Sequence, residues 1–102
     1  MRGAGLNLSV VVPLFNEKEN IHLLYDELNE VFQRLNLTYE IIFIDDGSTD
    51  GVIDDLKLIQ STDSHVIVIS LRRNFGQTAA MAAGFDYSRG DIVITMDGDL
   101  QN

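Results

Sequence analysis

Four short runs of aliphatic and β-branched residues recur along this chain, and each of them ends in a polar cluster. The runs are Leu8-Ser9-Val10-Val11-Val12-Pro13, Tyr39-Glu40-Ile41-Ile42-Phe43-Ile44, Val66-Ile67-Val68-Ile69 and Ile92-Val93-Ile94-Thr95-Met96. Nearly continuous apolar runs of this length are what a strand covered on both faces requires. The segments between them change period. Ile21, Leu24, Leu28, Val31, Phe32 and Leu35 recur at helical intervals and predict one apolar stripe. Asn16, with Glu19 three residues on, has the spacing of a capping box for that helix, and Glu17 would stand in its first turn. Val52, Ile53, Leu56 and Ile59 mark a second helix. A third runs from about Gln77 to Ser88, where Ala79, Ala80, Ala82, Ala83 and Gly84 would let it lie close against a sheet. Gly90 suits a position just past it. The order βαβαβαβ with right-handed crossovers builds a parallel sheet with helices on its faces, so the expected fold class is α/β and Rossmann-like. Periodicity does not dictate the strand order.

A chain of 102 residues, 45% hydrophobic and 23% charged, has room for one small globular core. With 16 acidic against 7 basic residues its formal charge is −9, which excludes a basic face that tracks nucleic acid. A phosphate ligand still fits, provided a cation lies between. The absence of cysteine removes disulfide frameworks, thiolate metal sites and cysteine nucleophiles. No apolar run reaches the ~18 residues of a membrane span, and Met1-Arg2-Gly3-Ala4-Gly5 has no apolar core behind its charge, so no signal peptide is expected. The chain stops at Asp97-Gly98-Asp99-Leu100-Gln101-Asn102, straight after an apolar run. An acidic cluster in that place leads us to expect a fragment of something longer.

In open parallel sheets ligands collect beyond the carboxyl ends of the strands. Here those ends carry Phe15-Asn16-Glu17, Asp45-Asp46-Gly47-Ser48, Arg72-Arg73-Asn74 and Asp97-Gly98-Asp99. A glycine between Asp97 and Asp99 allows both carboxylates to converge, and two carboxylates are hard ligands suited to Mg²⁺ or Mn²⁺. Gln101 would add a carbonyl oxygen or orient a bound water. The plainer reading of the same residues is a turn. Asp45 and Asp46 divide in the same way, between a ligand hydroxyl or base edge and helix initiation with Ser48, Thr49 or Asp50. Phe15 suits stacking on a nucleobase or a hydrophobic staple across a helix start. Arg72 and Arg73 suit a phosphate or a solvated surface. His22 and His65 have no metal-ligand partner at useful spacing and are expected at the surface. Neither Gly-x-Gly-x-x-Gly nor Gly-x-x-x-x-Gly-Lys-Ser/Thr occurs, which excludes nicotinamide-binding and P-loop sites. A receiver-like module would carry its acidic pocket after the first strand, whereas these acid pairs follow the second and fourth.

Four motifs in order then resemble glycosyltransferase family 2: Val12-Pro13-Leu14-Phe15-Asn16-Glu17, Ile44-Asp45-Asp46-Gly47-Ser48, Arg73-Asn74-Phe75-Gly76 and Met96-Asp97-Gly98-Asp99-Leu100-Gln101. The closer resemblance is to its prenyl-phosphate branch, which includes dolichyl-phosphate mannosyltransferase and bactoprenol glucosyltransferases, and it spans about Asn7 to Asn102. The resemblance implies the amino-terminal, nucleotide-sugar-binding half of a GT-A fold over residues 1–102, cut after the Asp-x-Asp motif. It implies that Pro13, Phe15 and Glu17 lie against base and ribose. Ile44 and Asp46 would line the base, and Met96 and Gly98 would lie beside the nucleotide. Asp97, Asp99 and Gln101 would hold Mg²⁺ or Mn²⁺. Phe15 stands where tyrosine is common and Gly98 where alanine is common. The implied reaction is inverting transfer of a sugar from a UDP- or GDP-sugar to a polyprenyl phosphate, at the cytoplasmic face of a membrane. Arg72 and Arg73 would contact phosphate. No catalytic residue falls within the fragment, which is expected to be soluble, to have little or no transferase activity alone, and to associate through its open sheet edge. The alternative is a non-catalytic α/β nucleotide-binding or regulatory module.

Overall fold

A computed structural model describes residues 6–96. The elements follow the order β1 (Leu8–Leu14), α1 (Ile21–Leu35), β2 (Tyr39–Asp45), α2 (Val52–Thr62), β3 (Val66–Ser70), α3 (Gln77–Tyr87) and β4 (Ile92–Thr95). All strand pairs are parallel and the sheet order is β3-β2-β1-β4. The chain steps from β1 through β2 to β3 in one direction, then crosses back over β1 to β4. Right-handed crossovers therefore put α1 and α2 on one face and α3 on the other. The crevice between β1 and β4, where the direction reverses, is the switch point of the sheet.

The two faces pack differently. On the α1/α2 face Val10, Val12, Ile41 and Phe43 meet Ile21, Leu24, Leu28, Phe32, Val52, Leu56 and Ile59 in the larger core cluster. On the other, Val11, Ile42 and Ile44 meet Ala80 and Gly84, the buried residues of α3. That thin layer works because α3 sits almost on the sheet: a Cβ at Gly84 would lie 2.3 Å from Val11 Cγ1 and 2.9 Å from Ile44 Cδ1. The small-residue stripe is thus used at Ala80 and Gly84, four residues apart on one side of the helix. Ala79 and Ala82 face outward.

Two expectations for α1 are corrected. The helix begins at Ile21 after Asn20, so neither Asn16 caps it nor does Glu17 stand in its first turn, which holds no acid. Asn16 instead takes a left-handed φ of 54° and bonds across to the next loop. Of the predicted stripe, Ile21, Leu24, Leu28 and Phe32 are buried, whereas Val31 and Leu35, toward the end of the helix, stay about half exposed at 48% and 49%.

At the amino-terminal edge of the sheet a buried polar node ties α3 to β1 and β2. Ser9 donates to Glu40 Oε2 (2.5 Å), its register partner, while the backbone N–H of Arg89 donates to Glu40 Oε2 (2.7 Å) and that of Gly90 to Ser9 Oγ (2.7 Å). Gly90 is needed for close approach, since a Cβ there would stand 2.6 Å from the Leu8 carbonyl carbon. This node is structural, at the end of the sheet away from the clustered motifs.

Candidate functional site

Among the described residues the carboxyl edge of the sheet carries three turns joined to one another by side-chain hydrogen bonds. Pro13 is buried in β1, a central strand, opposite Ile44 of β2. Leu14 accepts from Asp46 on the β2 side and Val11 from Met96 on the β4 side, so Pro13 points its missing donor toward β4. It lies beyond Val11↔Thr95, the last register pair on that side among the described residues. The strand exits into Phe15, which is 45% exposed. A ring this exposed is not packed away as a staple would be.

Beyond Phe15 the β1–α1 and β2–α2 turns are stitched together. The N–H of Asn16 donates to Ser48 Oγ (2.8 Å), and the N–H of Thr49 donates to Asn16 Oδ1 (2.8 Å). The N–H of Lys18 donates to Asp50 Oδ2 (2.9 Å), while Asp50 Oδ1 accepts from Val52 at the start of α2 (3.0 Å). Below them Lys18 Nζ meets Asp55 Oδ2 at 2.8 Å. That bond holds the lysine above its ordinary range and, against the opposing effect of burial, holds the Asp55 carboxyl below its own. Glu17 is half-buried and accepts from Asn20 Nδ2 (3.0 Å). A cleft of about 440 Å³ opens here, lined by Asn16, Glu17, Lys18, Glu19, Asn20 and Asp50.

Asp45 and Asp46 are both 3% exposed and point to opposite faces of the sheet. Asp45 Oδ1 accepts the N–H of Ser48 (3.1 Å), which is turn formation. Asp46 reaches the β3–α3 turn, accepting the N–H of Phe75 at Oδ1 (2.8 Å) and that of Gly76 at Oδ2 (3.0 Å). The hydrogen bonds that Asp46 accepts from the turn have no sign in the sequence, since nothing in spacing announces a contact across 29 residues. Ile44 is fully buried between the sheet and α3.

Arg72 and Arg73 are exposed on the β3–α3 turn, and the Arg73 guanidinium lies 4.7 Å from the centroid of the Phe75 ring. Met96 is half-buried and its N–H bonds the Val11 carbonyl, which carries the chain to the β1 side of the switch point. Asp97, Gly98, Asp99 and Gln101 lie outside the described residues. Among the described residues no group of three or more His, Asp or Glu side chains is placed to hold a metal ion. The two histidines are exposed as expected, each beside a carboxylate: His22 Nε2 is 3.5 Å from Asp55 and His65 Nδ1 is 2.8 Å from Asp63. No helix among the described residues is long and apolar enough to cross a membrane.

The arrangement is an edge with an exposed ring at one turn, an arginine-on-ring pair at another and acids between. The model of glycosyl transferase family 2 matches residues 9–102. The chain belongs to glycosyltransferase family 2. It is 42% identical over 95 residues to the putative glycosyltransferase CsbB of Bacillus subtilis (strain 168), covering 93% of this chain and 29% of that protein. To the undecaprenyl-phosphate 4-deoxy-4-formamido-L-arabinose transferase of Yersinia pestis (strain Pestoides F) it is 44% identical over 96 residues, with 93% and 29% covered. The chain therefore spans under a third of the length of these relatives. Among solved structures, the mannosyltransferase PcManGT of Pyrobaculum calidifontis in complex with GDP-Man and Mn²⁺ superposes with a TM-score of 0.74 at 21% identity, over 89% of this chain and 27% of that one. The α/β fold expected of a family-2 chain is thus the fold found.

Proposed function

We propose that residues 1–102 are the donor-binding part of an enzyme that transfers a sugar from a nucleoside-diphosphate sugar to a polyprenyl phosphate. The observation that carries the reading is the placement of Phe15, Glu17, Asp46 and Arg73 at the carboxyl edge of a family-2 sheet. Membership of the family and the resemblance to a transferase acting on undecaprenyl phosphate support the substrate classes. In this reading Pro13 sets the exit of β1 so that Phe15 stacks on the base. Glu17 meets the ribose, and the β2 end with Ile44 and Asp46 closes the base side. Arg72 and Arg73 meet phosphate. The wider protein would work at the cytoplasmic face of a membrane.

Asp97, Asp99 and Gln101 offer two carboxylates and an amide carbonyl, a hard-oxygen donor set that suits Mg²⁺ or Mn²⁺. When bound, such an ion offsets the charge of the diphosphate on a domain that itself carries −9. The transfer would proceed by attack of an acceptor phosphate oxygen on the anomeric carbon as its bond to the diphosphate breaks. One in-line displacement inverts the configuration, and an acceptor already anionic asks little of a general base.

Calorimetric titration with UDP- and GDP-sugars, with and without MnCl₂, tests this. Binding of one class in MnCl₂, at least tenfold weaker without it and equally weakened by Asp99→Asn, is the expected outcome. Binding that ignores both the cation and Asp99→Asn would remove the metal role. No binding of either class would remove the donor reading for this chain.

A further inference from the structure

The β3–α3 turn is held from beneath by a single short segment at the end of β2. The Asp45 carbonyl accepts the N–H of Leu71 (2.9 Å), and both carboxylate oxygens of Asp46 accept backbone N–H groups from Phe75 and Gly76. Gly47, at φ 72°, lets the backbone of Arg73 come so near that a Cβ on Gly47 would stand 2.2 Å from its carbonyl carbon. Hydrogen bonds to an ionised carboxylate are roughly twice as strong as neutral ones, and two on one buried group fix both position and direction. The turn so held shows solvent the Arg73 guanidinium seated over the half-exposed ring of Phe75. A guanidinium braced on a ring has already given up much of the freedom it would lose on meeting an anion.

We infer that Asp46 is a positioning residue: its carboxylate fixes the turn that carries Arg73 and Phe75, and the pair so fixed is a surface that meets the nucleoside diphosphate. This rests on the donor-binding reading above. Asp46 itself is 3% exposed, so most of its effect on a ligand runs through the turn. Asp46→Asn tests this directly, because the amide keeps the shape but turns an NH₂ toward one of the two N–H donors.

Two measurements decide it. The first is amide exchange by NMR. In the wild-type chain Phe75 and Gly76 should exchange at least tenfold below their intrinsic rates, and Asp46→Asn should abolish most of that protection. Intrinsic-rate exchange at both amides in the wild type overturns the inference, whether or not the variant folds. The second is titration with GDP and with UDP in MnCl₂ for the wild type, Asp46→Asn, Arg73→Ala and the double variant. Each single change should weaken binding of the preferred nucleotide about tenfold, and the double variant should bind within about twofold of the weaker single one. Losses that multiply show Asp46 acting independently of the turn and overturn its positioning role alone. Failure of the wild type to bind either nucleotide overturns the donor reading, and this role with it.

Discussion

Gly84 and Gly47 are the described glycines at which this fold leaves least room, and for different reasons. At Gly84 the obstruction is side chain: Val11 Cγ1 at 2.3 Å and Ile44 Cδ1 at 2.9 Å from an added Cβ. Those atoms can shift by moving α3 outward, so Gly84→Ala should cost about 1–3 kcal/mol, the range of overpacking, read as a lower urea midpoint with unchanged slope. At Gly47 the obstruction is the backbone of Arg73, and φ is 72°, so no rotamer change relieves it. Gly47→Ala should therefore lose more stability than Gly84→Ala in the same urea series; a smaller loss would mean that the β3–α3 turn yields freely. Sequence alone made Gly84 legible, because small residues at helical spacing say that a helix comes close. Gly47 was legible only as part of a turn, since its real constraint is a segment distant in sequence. The same limit hid the other duties of Asn16 and Asp46. A side chain that can cap or turn locally gives no sign in its spacing that a remote N–H has claimed it.

At the scale of elements, the end of α2 and the start of β3 are tied to α1 through one carboxylate. Asp63 accepts from the hydroxyl of Tyr25, the N–H of His65 (2.9 Å) and the His65 ring (2.8 Å), and the ring of Tyr39 stacks on His65 with centroids 4.2 Å apart. Burial works to raise the Asp63 carboxyl, but the bonds from Tyr25 and His65 outweigh it and hold the group below its usual range. A depressed carboxyl stabilises the fold above its unfolded pKa of about 3.9, and that contribution is lost as pH falls through its lower folded value. Tyr25 has the opposite sign: burial, then the bond to Asp63, raises its hydroxyl, so its contribution is complete below pH ~10 and lost above it. Tyr25→Phe removes one partner and should cost about 1–2 kcal/mol at pH 7. It should also shallow both limbs of the stability curve, as urea unfolding between pH 3 and pH 10.5 would register. Parallel curves for the variant and the wild type would deny the coupling. The alternation of strands and helices was plain from apolar periodicity, because covered strands and amphipathic helices must repeat at different periods. This latch was not, for its members come from α1, the end of α2 and the residues before β3, which only the folded topology brings together.

For the molecule as a whole, the order β3-β2-β1-β4 leaves β4, among the described residues, with one hydrogen-bonded neighbour and little cover. Ile92, Val93 and Ile94 are 62%, 38% and 44% exposed, although Ile94 pairs with Val10, which is fully buried. The larger core thus runs out across one strand spacing, from a sealed position to an open one. α1 and α2 are already spent on β1, β2 and β3, and no other described helix reaches that face of β4. An apolar edge strand is a template for pairing with another chain, and a charge of −9 opposes but does not prevent it, because the repulsion is screened beyond about 8 Å at physiological salt. The chain as it stands should therefore associate reversibly, more so as salt rises, with β4 at the contact. Ile94→Lys places on the edge the residue that most effectively discourages such pairing. Sedimentation velocity across a concentration series should show the wild type moving from monomer to larger species and Ile94→Lys remaining monomeric with an unchanged circular dichroism spectrum. A wild type that stays monomeric at high salt and high concentration would mean that β4 is protected by other means. Association that survives Ile94→Lys would shift attention to the exposed Val31 and Leu35 of α1.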